Sequence, residues 1–315
     1  YIKRNNWKLA FKESKKTNDK IVKKLVNWIY LIENKNNASF YDYVKFIKKN
    51  KDWPRINRLR YLAEHKIDYK IVAPIDVISF FKDKEPLSGF GAMKLGEALL
   101  IAGKKNKSIQ LIKKGFIRAF LSRDDLRYVS RKFKNILSSE DYIKRADHMA
   151  WESKYWELKR TIKYLPKGYK ELYFARFALM TRSYGVDSAI KKVPKNLKKN
   201  IGLEFDRMKW RRKRGRYNSA LEIIKLYTNM PELLVRPELW FKQKLIIARK
   251  KIDQKKYNQA YILLTNHGIK EKSKLAKAEW HAGWLALSFL NKPNKSIIHF
   301  KTMYDSVNYP ISRAR

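Results

Sequence analysis

Histidine does acid–base and metal chemistry near neutral pH more readily than other side chains, and this sequence contains five histidines. They stand far apart in the sequence. The zinc-binding pair of a metalloprotease helix has two histidines four residues apart, and no two histidines here have that spacing. A histidine that is hydrogen-bonded within the fold is therefore the interpretation of each one: His65, His148, His267, His281 and His299. We predict no metal site and no catalytic residue in this segment.

Other reactive patterns are missing from the sequence as well. It has no cysteine, which excludes disulfides and cysteine-ligated zinc. Gly89 and Gly91 are not followed by the Gly-Lys-Ser/Thr of a phosphate-binding loop, and no strand is predicted before them. Serine, histidine and aspartate occur without a nucleophile motif around them. The sequence therefore predicts no cofactor.

Electrostatic binding is better supported, because a formal net charge of +44 attracts phosphate or carboxylate polymers over a long range. The densest basic stretch is Lys209-Trp210-Arg211-Arg212-Lys213-Arg214-Gly215-Arg216. It lies inside a repeat, so it is predicted to be one turn and its flanks rather than a separate binding arm. The candidate residues for binding a polyanion or a glycan are Arg211, Arg212, Lys213, Arg214 and Arg216.

Base composition is an alternative explanation of this charge. Lysine greatly outnumbers arginine, and Lys, Asn, Ile and Tyr are abundant together, which is typical of genes rich in A and T. The lysines are also spread along the chain, and solvated helix faces accommodate such charges at little cost.

A short motif recurs along the chain and determines where these residues lie. Tyr217-Asn218-Ser219-Ala220-Leu221 aligns without gaps with Tyr257-Asn258-Gln259-Ala260-Tyr261, and segments that begin at Lys105 and Pro293 follow the same frame. We define the residue in the fourth place as the anchor. The anchors, including two weaker copies, are Ser108, Leu158, Ala189, Ala220, Ala260 and Ser296. Apolar or small residues recur after the better anchors on one helical face, and another apolar-periodic stretch precedes each of them.

The predicted fold is therefore all-α: a superhelical α-solenoid of TPR-like helical hairpins, curved or U-shaped, with almost no strand. Residues 1–37 are predicted to form leader helices packed on the array, and residues 38–315 the superhelical domain. Core packing is the main interpretation of the helical tryptophans, and platforms for sugar rings or bases are the alternative. These tryptophans are Trp151, Trp156, Trp210, Trp240, Trp280 and Trp284.

No apolar stretch reaches the roughly 20 residues that cross a bilayer, so no membrane span is predicted. The chain opens at Tyr1, and its first residues do not show the charged leader followed by an apolar run that marks a signal peptide. We therefore expect a signal peptide to lie outside this chain, and further sequence to follow Arg315.

Six segments between about residue 38 and residue 315 carry a family resemblance through their order and spacing. They are Phe40–Pro54 with Tyr43, Phe46, Ile47 and Asp52-Trp53-Pro54; Glu85-Pro86-Leu87-Ser88-Gly89 leading to Gly96, Glu97, Ala98, Leu99 and Gly103; Leu137-Ser138-Ser139-Glu140-Asp141 leading to Arg145; Leu234–Trp240; Ala278–Leu287; and Pro310–Arg315. Together they resemble the N-terminal superhelical, U-shaped domain of the soluble lytic murein transglycosylases, in the alphaproteobacterial style of that family.

The resemblance implies an exported, periplasmic protein whose parent enzyme cleaves the MurNAc-GlcNAc bond of peptidoglycan and leaves a 1,6-anhydro end. It also implies that the chemistry belongs to a lysozyme-like domain beyond Arg315, where one glutamate followed by serine acts as acid and then base. Glu13-Ser14 and Glu152-Ser153 supply that dipeptide without the rest of the motif, and neither is assigned a catalytic role. The segment alone is not predicted to be an enzyme.

For this segment, the resemblance implies a scaffold that guides the glycan strand. The expected partners are peptidoglycan glycan strands, the protein's own C-terminal linker and catalytic domains, and cell-wall synthesis proteins, with no specific nucleic acid. Two alternatives remain open. One is a stand-alone helical-repeat module that binds a partner protein's peptide. The other is a basic nucleic-acid binder, against which the sequence lacks a recognition-helix or RNA-sheet motif.

Overall fold

A computed structural model describes residues 1–33 and 35–313 of the chain. These residues form α-helices and short 3-10 helices without any strand, so the predicted all-α fold is confirmed. The chain divides into two compact units, residues 1–148 and residues 149–315. The last two residues of the predicted Pro310–Arg315 match, Ala314 and Arg315, lie outside the described residues. The boundary predicted between residues 37 and 38 stays a prediction.

The first unit contains eight α-helices and most of a ninth. They are α1 Trp7–Lys16, α2 Lys20–Ile32, α3 Phe40–Lys49, α4 Ile56–Glu64, α5 Pro74–Phe80, α6 Gly89–Ile101, α7 Lys105–Arg118, α8 Arg123–Lys132 and α9 Ser139–Trp151. A 3-10 helix, Ile2–Arg4, precedes α1. Side chains of α2, α3, α4 and α6 form a continuous apolar core in this unit, which includes Leu31, Tyr43, Leu59 and Ala98.

The second unit continues with ten further α-helices. They are α10 Tyr155–Ile162, α11 Tyr169–Thr181, α12 Val186–Lys191, α13 Ile201–Lys213, α14 Tyr217–Lys225, α15 Pro237–Asp253, α16 Tyr257–Leu264, α17 Lys272–Ser288, α18 Pro293–Asp305 and α19 Pro310–Arg313. Two 3-10 helices, Lys195–Leu197 and Pro231–Leu233, lie between them. The core of this unit surrounds Trp240, whose side chain is fully buried. No helix in the described part of the chain is both long and apolar enough to cross a membrane.

Serine caps determine where several helices of the first unit begin. Ser39 and Ser122 each form a capping box with the aspartate three residues later, and Ser88 accepts a hydrogen bond from the Gly91 N–H. Glu64 adds to the start of α6, because its carboxylate accepts from the Leu87 and Ser88 N–H groups at 2.7 Å. Ser39, Ser88 and Ser122 therefore act as helix start signals.

The anchors lie at the contact between paired helices, as the repeat frame predicts. Each of the six is at most 5% exposed. The most extensive pairings are α6 with α7, α13 with α14, α15 with α16 and α17 with α18, so the unit of the repeat is a helical hairpin. In the second unit, α11 also contacts α13, and α13 contacts α15. One hairpin therefore packs on the next there.

The turns inside five hairpins share one geometry. Two or three residues after the end of the first helix stands a residue with φ between 50° and 76°: Gly103, Ser153, Gly215, Lys255 or Asn291. A basic residue follows, and its N–H donates back to a carbonyl of the first helix at 2.8–3.0 Å. Its own carbonyl accepts from the N–H of the anchor at 2.9–3.1 Å. These basic residues are Lys104, Lys154, Arg216, Lys256 and Lys292. Each of the five second helices thus begins beside a cation that makes no side-chain cap.

Glycine lets α6 and α7 approach unusually closely. A Cβ atom at Gly115 would lie 2.5 Å from the backbone nitrogen of Met93 and 2.6 Å from the carbonyl oxygen of Gly89. Both obstacles are backbone atoms, which cannot rotate away as the end of a side chain can. The approach of these helices therefore depends on the missing side chain.

We expect Gly115→Ala to lower the free energy of unfolding by about 2 kcal/mol, because overpacking outweighs the roughly 1 kcal/mol that alanine gains in helix propensity. Urea denaturation followed by circular dichroism measures the change. Gln110→Ala, at an exposed position of α7, is the control and should stay within about 0.5 kcal/mol of wild type. A Gly115→Ala protein more stable than wild type would contradict the close packing.

A buried ion pair joins α11 to α13 in the second unit. The Nε of Arg176 lies 2.7 Å from Oδ2 of Asp206, and the two side chains are 0% and 3% exposed. The guanidinium also lies over the ring of Trp151, 5.2 Å from its centroid. Trp151 is therefore a core residue, as predicted.

Trp156 does not fit the prediction of core packing, because its side chain is 56% exposed.

Candidate functional site

The candidate basic residues lie at the turn between α13 and α14. Arg211, Arg212 and Lys213 form the last turn of α13, and Arg214 and Arg216 stand in the loop before α14. The stretch is thus one turn and its flanks, as predicted. We call these five residues the basic cluster.

Two members of the basic cluster are used in packing. Arg211 donates to the carbonyl oxygen of Ser219 at 2.8 Å, and its nearest carboxylate oxygen, on Glu222, is 3.7 Å away. Arg212 donates from Nε to the side-chain oxygen of Gln243 at 2.9 Å. Both guanidinium groups help to join neighbouring helices, which leaves fewer of their N–H groups for a ligand.

The loop members surround a tryptophan. Arg214 and Arg216 are exposed, and their guanidinium carbons lie 4.5 Å and 5.8 Å from the ring centroid of Trp210. Cation–π contacts of this kind hold a charge in place without neutralising it. These two arginines therefore remain available to an anionic partner.

The fold adds one cation that the linear stretch does not contain, Arg182. Burial lowers the pKa of Lys213, and the positive charges of Lys209, Arg182 and Arg212 lower it further. Arg182 comes from the C-terminal end of α11, in the preceding hairpin. Sequence reasoning missed it because only packing brings it near α13. Among the described residues, no acidic side chain contributes to the shift of the Lys213 pKa, so the field at Lys213 is positive.

Both Glu-Ser dipeptides are structural. Glu13 forms an ion pair with Lys16 at 2.8 Å, and the Ser14 hydroxyl donates to the carbonyl oxygen of Phe11. Glu152 lies in the turn after α9 and forms an ion pair with Arg236 at 3.0 Å. Neither carboxylate belongs to one of the clefts described below.

Two of the five histidines belong to one hydrogen-bonded network. Glu279 on α17 accepts from Nε2 of His267 at 2.9 Å and from Nδ1 of His299 at 2.5 Å. Nδ1 of His267 accepts from the Ile269 N–H, and the Tyr261 hydroxyl lies 2.8 Å from Nε2 of His299. This arrangement fits the prediction of structural histidines. Within residues 1–33 and 35–313, no group of three or more His, Asp and Glu side chains could hold a metal ion.

A cleft of about 990 Å³ lies between α17 and the segment that follows α18. We call it the aromatic cleft. Trp280, His281, Tyr309 and buried Met303 line it, together with exposed Lys272 and Lys277.

The aromatic cleft combines a flat apolar surface with polar groups. The ring of Trp280 stacks parallel to that of Trp284, with an interplanar angle of 1°. Burial lowers the pKa of His281, although its hydrogen bond to the Lys277 carbonyl oxygen opposes the change. His281 is therefore neutral at pH 7 and can act as a hydrogen-bonding group. Such a cleft can take a ring with one apolar face, and its lysines can pair with carboxylates on that ligand.

The sequence analysis gave core packing as the main interpretation of Trp280, with a platform for sugar rings or bases as the alternative, and a structural role for His281. Tyr309 is almost thirty residues away from them in the sequence, and only the return of α18 brings it to α17. The signal that could have found the site is the Trp-His pair on α17, with Lys277 one turn earlier and Lys272 about two turns earlier.

Comparison of this chain with protein-family models, with curated proteins and with solved structures finds no match in any of the three.

Proposed function

We propose that this chain is the substrate-guiding scaffold of a periplasmic peptidoglycan lytic transglycosylase, and that it binds glycan strands. The observation that carries the proposal is the aromatic cleft, where Trp280 and Tyr309 lie beside Lys272 and Lys277. Amino sugars present apolar ring faces to aromatic side chains. Peptidoglycan also carries carboxylates on its lactyl groups and peptide stems, and lysine ammonium groups pair with carboxylates.

The repeated hairpins support the shape that such a scaffold needs. We propose that they continue into a curved, U-shaped superhelical solenoid of TPR-like repeats. The contacts of α11 with α13 and of α13 with α15 are those expected when hairpins stack in one direction. A stack of this kind presents a long surface, along which a polymer can make many weak contacts.

Chemistry is not part of what we propose for this segment. The parent protein would be the enzyme, with its catalytic glutamate in a lysozyme-like domain that follows this chain. Its partners would be the glycan strand, its own linker and catalytic domains, and cell-wall synthesis proteins. A stand-alone module that binds a partner protein's peptide is the alternative within the same fold.

Co-sedimentation of the chain with purified cell-wall sacculi tests the proposal. Trp280→Ala should weaken binding by at least about fivefold, because a stacking surface is lost. Trp156→Ala is the matched control: it removes an exposed tryptophan outside the aromatic cleft and should leave binding unchanged. Equal binding by wild type and Trp280→Ala would contradict the proposal.

A nucleic-acid binder is the second candidate, and the positive field at Lys213 favours it. A gel shift at two salt concentrations, with heparin as competitor, separates the two candidates. Binding that falls steeply with salt, is displaced by heparin and shows no sequence preference is electrostatic attraction alone. Binding that survives heparin and prefers one sequence would instead support this second candidate.

A further inference from the structure

A second cleft, of about 470 Å³, lies in the second unit between the α13–α14 turn and the C-terminal end of α15. We call it the basic cleft. Four cationic side chains line it, and none of its lining residues is acidic: the cations are Arg216, Lys250, Lys251 and Lys256. The local potential inside the cleft is therefore strongly positive.

Lys251 is the unusual member of this set. It is only 8% exposed, and within the described residues its ammonium group has no hydrogen-bond acceptor and no ion-pair partner. Lys244, another buried lysine of α15, differs because its Nζ donates to the carbonyl oxygen of Asn266 at 3.5 Å. The side chain is packed along most of its length, and the ammonium group is not among the fully buried atoms without a partner, so it reaches the water in the cleft. A ligand anion in the basic cleft would give this ammonium group a partner.

The N-terminus of α14 faces the same cleft. Asn218 and Ser219 line it from the first turn of this nine-residue helix. Their N–H groups have no acceptor within the helix, and the side chain at the N-cap, Arg216, is a cation that makes no cap hydrogen bond. A helix N-terminus whose free N–H groups line one cleft together with an unpaired lysine has the donors that an anion requires.

We propose that the basic cleft binds a phosphoryl group. The phosphoryl oxygens would accept from the N–H groups of Asn218 and Ser219, and the charge would pair with Lys251. A phosphoryl group is favoured over a carboxylate because its charge of about −2 and its additional oxygens match four cations better. The cleft volume also leaves room for the rest of a small phosphorylated molecule. This site is independent of glycan binding in the aromatic cleft.

The position of Lys250 and Lys251 in the last turn of α15 has a competing explanation, since a helix C-terminus attracts cations. That explanation involves no ligand, and it predicts that replacing Lys251 changes only the stability of the protein. The phosphoryl site predicts in addition that phosphate shifts the amide NMR signals of Asn218 and Ser219.

The test is NMR titration of the ¹⁵N-labelled chain with inorganic phosphate and pyrophosphate at constant ionic strength. We expect saturable shifts of the Asn218 and Ser219 amide signals, and a dissociation constant that rises about tenfold in Lys251→Met. Methionine keeps the buried stem but removes the charge. Lys225→Met makes the same charge change on exposed α14 surface outside the cleft and should bind as wild type does.

Three results would overturn the site: no saturable shift, equal affinity of Lys251→Met and wild type, or equal shifts with acetate, which would identify a carboxylate site instead. If Lys251→Met does not fold, Arg216→Gln tests the same cleft from an exposed position. Unchanged phosphate affinity in that variant also contradicts the proposal.

Discussion

Asp206→Asn is expected to lower the free energy of unfolding by about 3–5 kcal/mol, the largest loss that we predict for a single substitution. The carboxylate of Asp206 is the ion-pair partner of Arg176, and neither side chain is more than 3% exposed. Asparagine keeps the shape but removes the negative charge, so the guanidinium stays buried beside Trp151 without the charge of Asp206. The substitution should therefore weaken the packing of α11 against α13.

Urea denaturation monitored by tryptophan fluorescence measures this loss. Glu222→Gln also removes one carboxylate, but that side chain is 74% exposed and 3.7 Å from Arg211. It should change stability by about 0.5 kcal/mol or less. The double variant Arg176→Met/Asp206→Leu should be more stable than Asp206→Asn, because well-packed apolar residues can replace a buried ion pair. If Asp206→Asn behaves like Glu222→Gln, the pair does not support the fold.

Glu279→Gln is expected to cost about 3 kcal/mol, because the carboxylate accepts from two partly buried histidines and the amide can accept from only one. Its NH₂ group would then face the other histidine N–H without an acceptor. The network spans α16, α17 and α18 through Tyr261, Glu279 and His299. The substitution should therefore loosen the end of the second unit.

The Glu279 carboxylate also makes the free energy of unfolding depend on pH. Burial alone would raise the pKa of Glu279, but the hydrogen bonds from His267 and His299 outweigh it and hold the pKa at about 2, below the ordinary value of 4.5. A lowered folded-state pKa stabilises the protein fully above 4.5, and this stabilisation is lost as the pH falls towards 2. The stability difference between wild type and Glu279→Gln should therefore shrink over that range. Denaturation at several pH values measures it, and a constant difference would contradict the assignment.

The helices and their pairing could be predicted from the sequence because the pattern is local. A small or apolar anchor followed by apolar residues on one face determines which side of a helix is buried, and burial of Ser108, Ala220 and Ser296 agrees with it. Pro237 is a further local signal in the sequence, since it occupies the first turn of α15.

The sites could not be predicted in the same way, because they depend on residues far apart in the sequence. Tyr309 joins Trp280, and Arg182 joins Lys213, only through packing. The burial of Lys251 is also invisible in a sequence where lysine is common at exposed positions. The five residues of the basic cluster were found as a linear stretch, but that stretch did not show that Arg211 and Arg212 contribute to packing.

The most direct test of glycan binding is an NMR titration of the chain with a soluble disaccharide-peptide fragment of peptidoglycan. Binding in the aromatic cleft predicts saturable shifts of the Trp280 indole N–H and of the Lys277, His281 and Tyr309 amides, with none at Trp156. Shifts confined to the basic cluster, or no saturable shift at all, would contradict the proposed function.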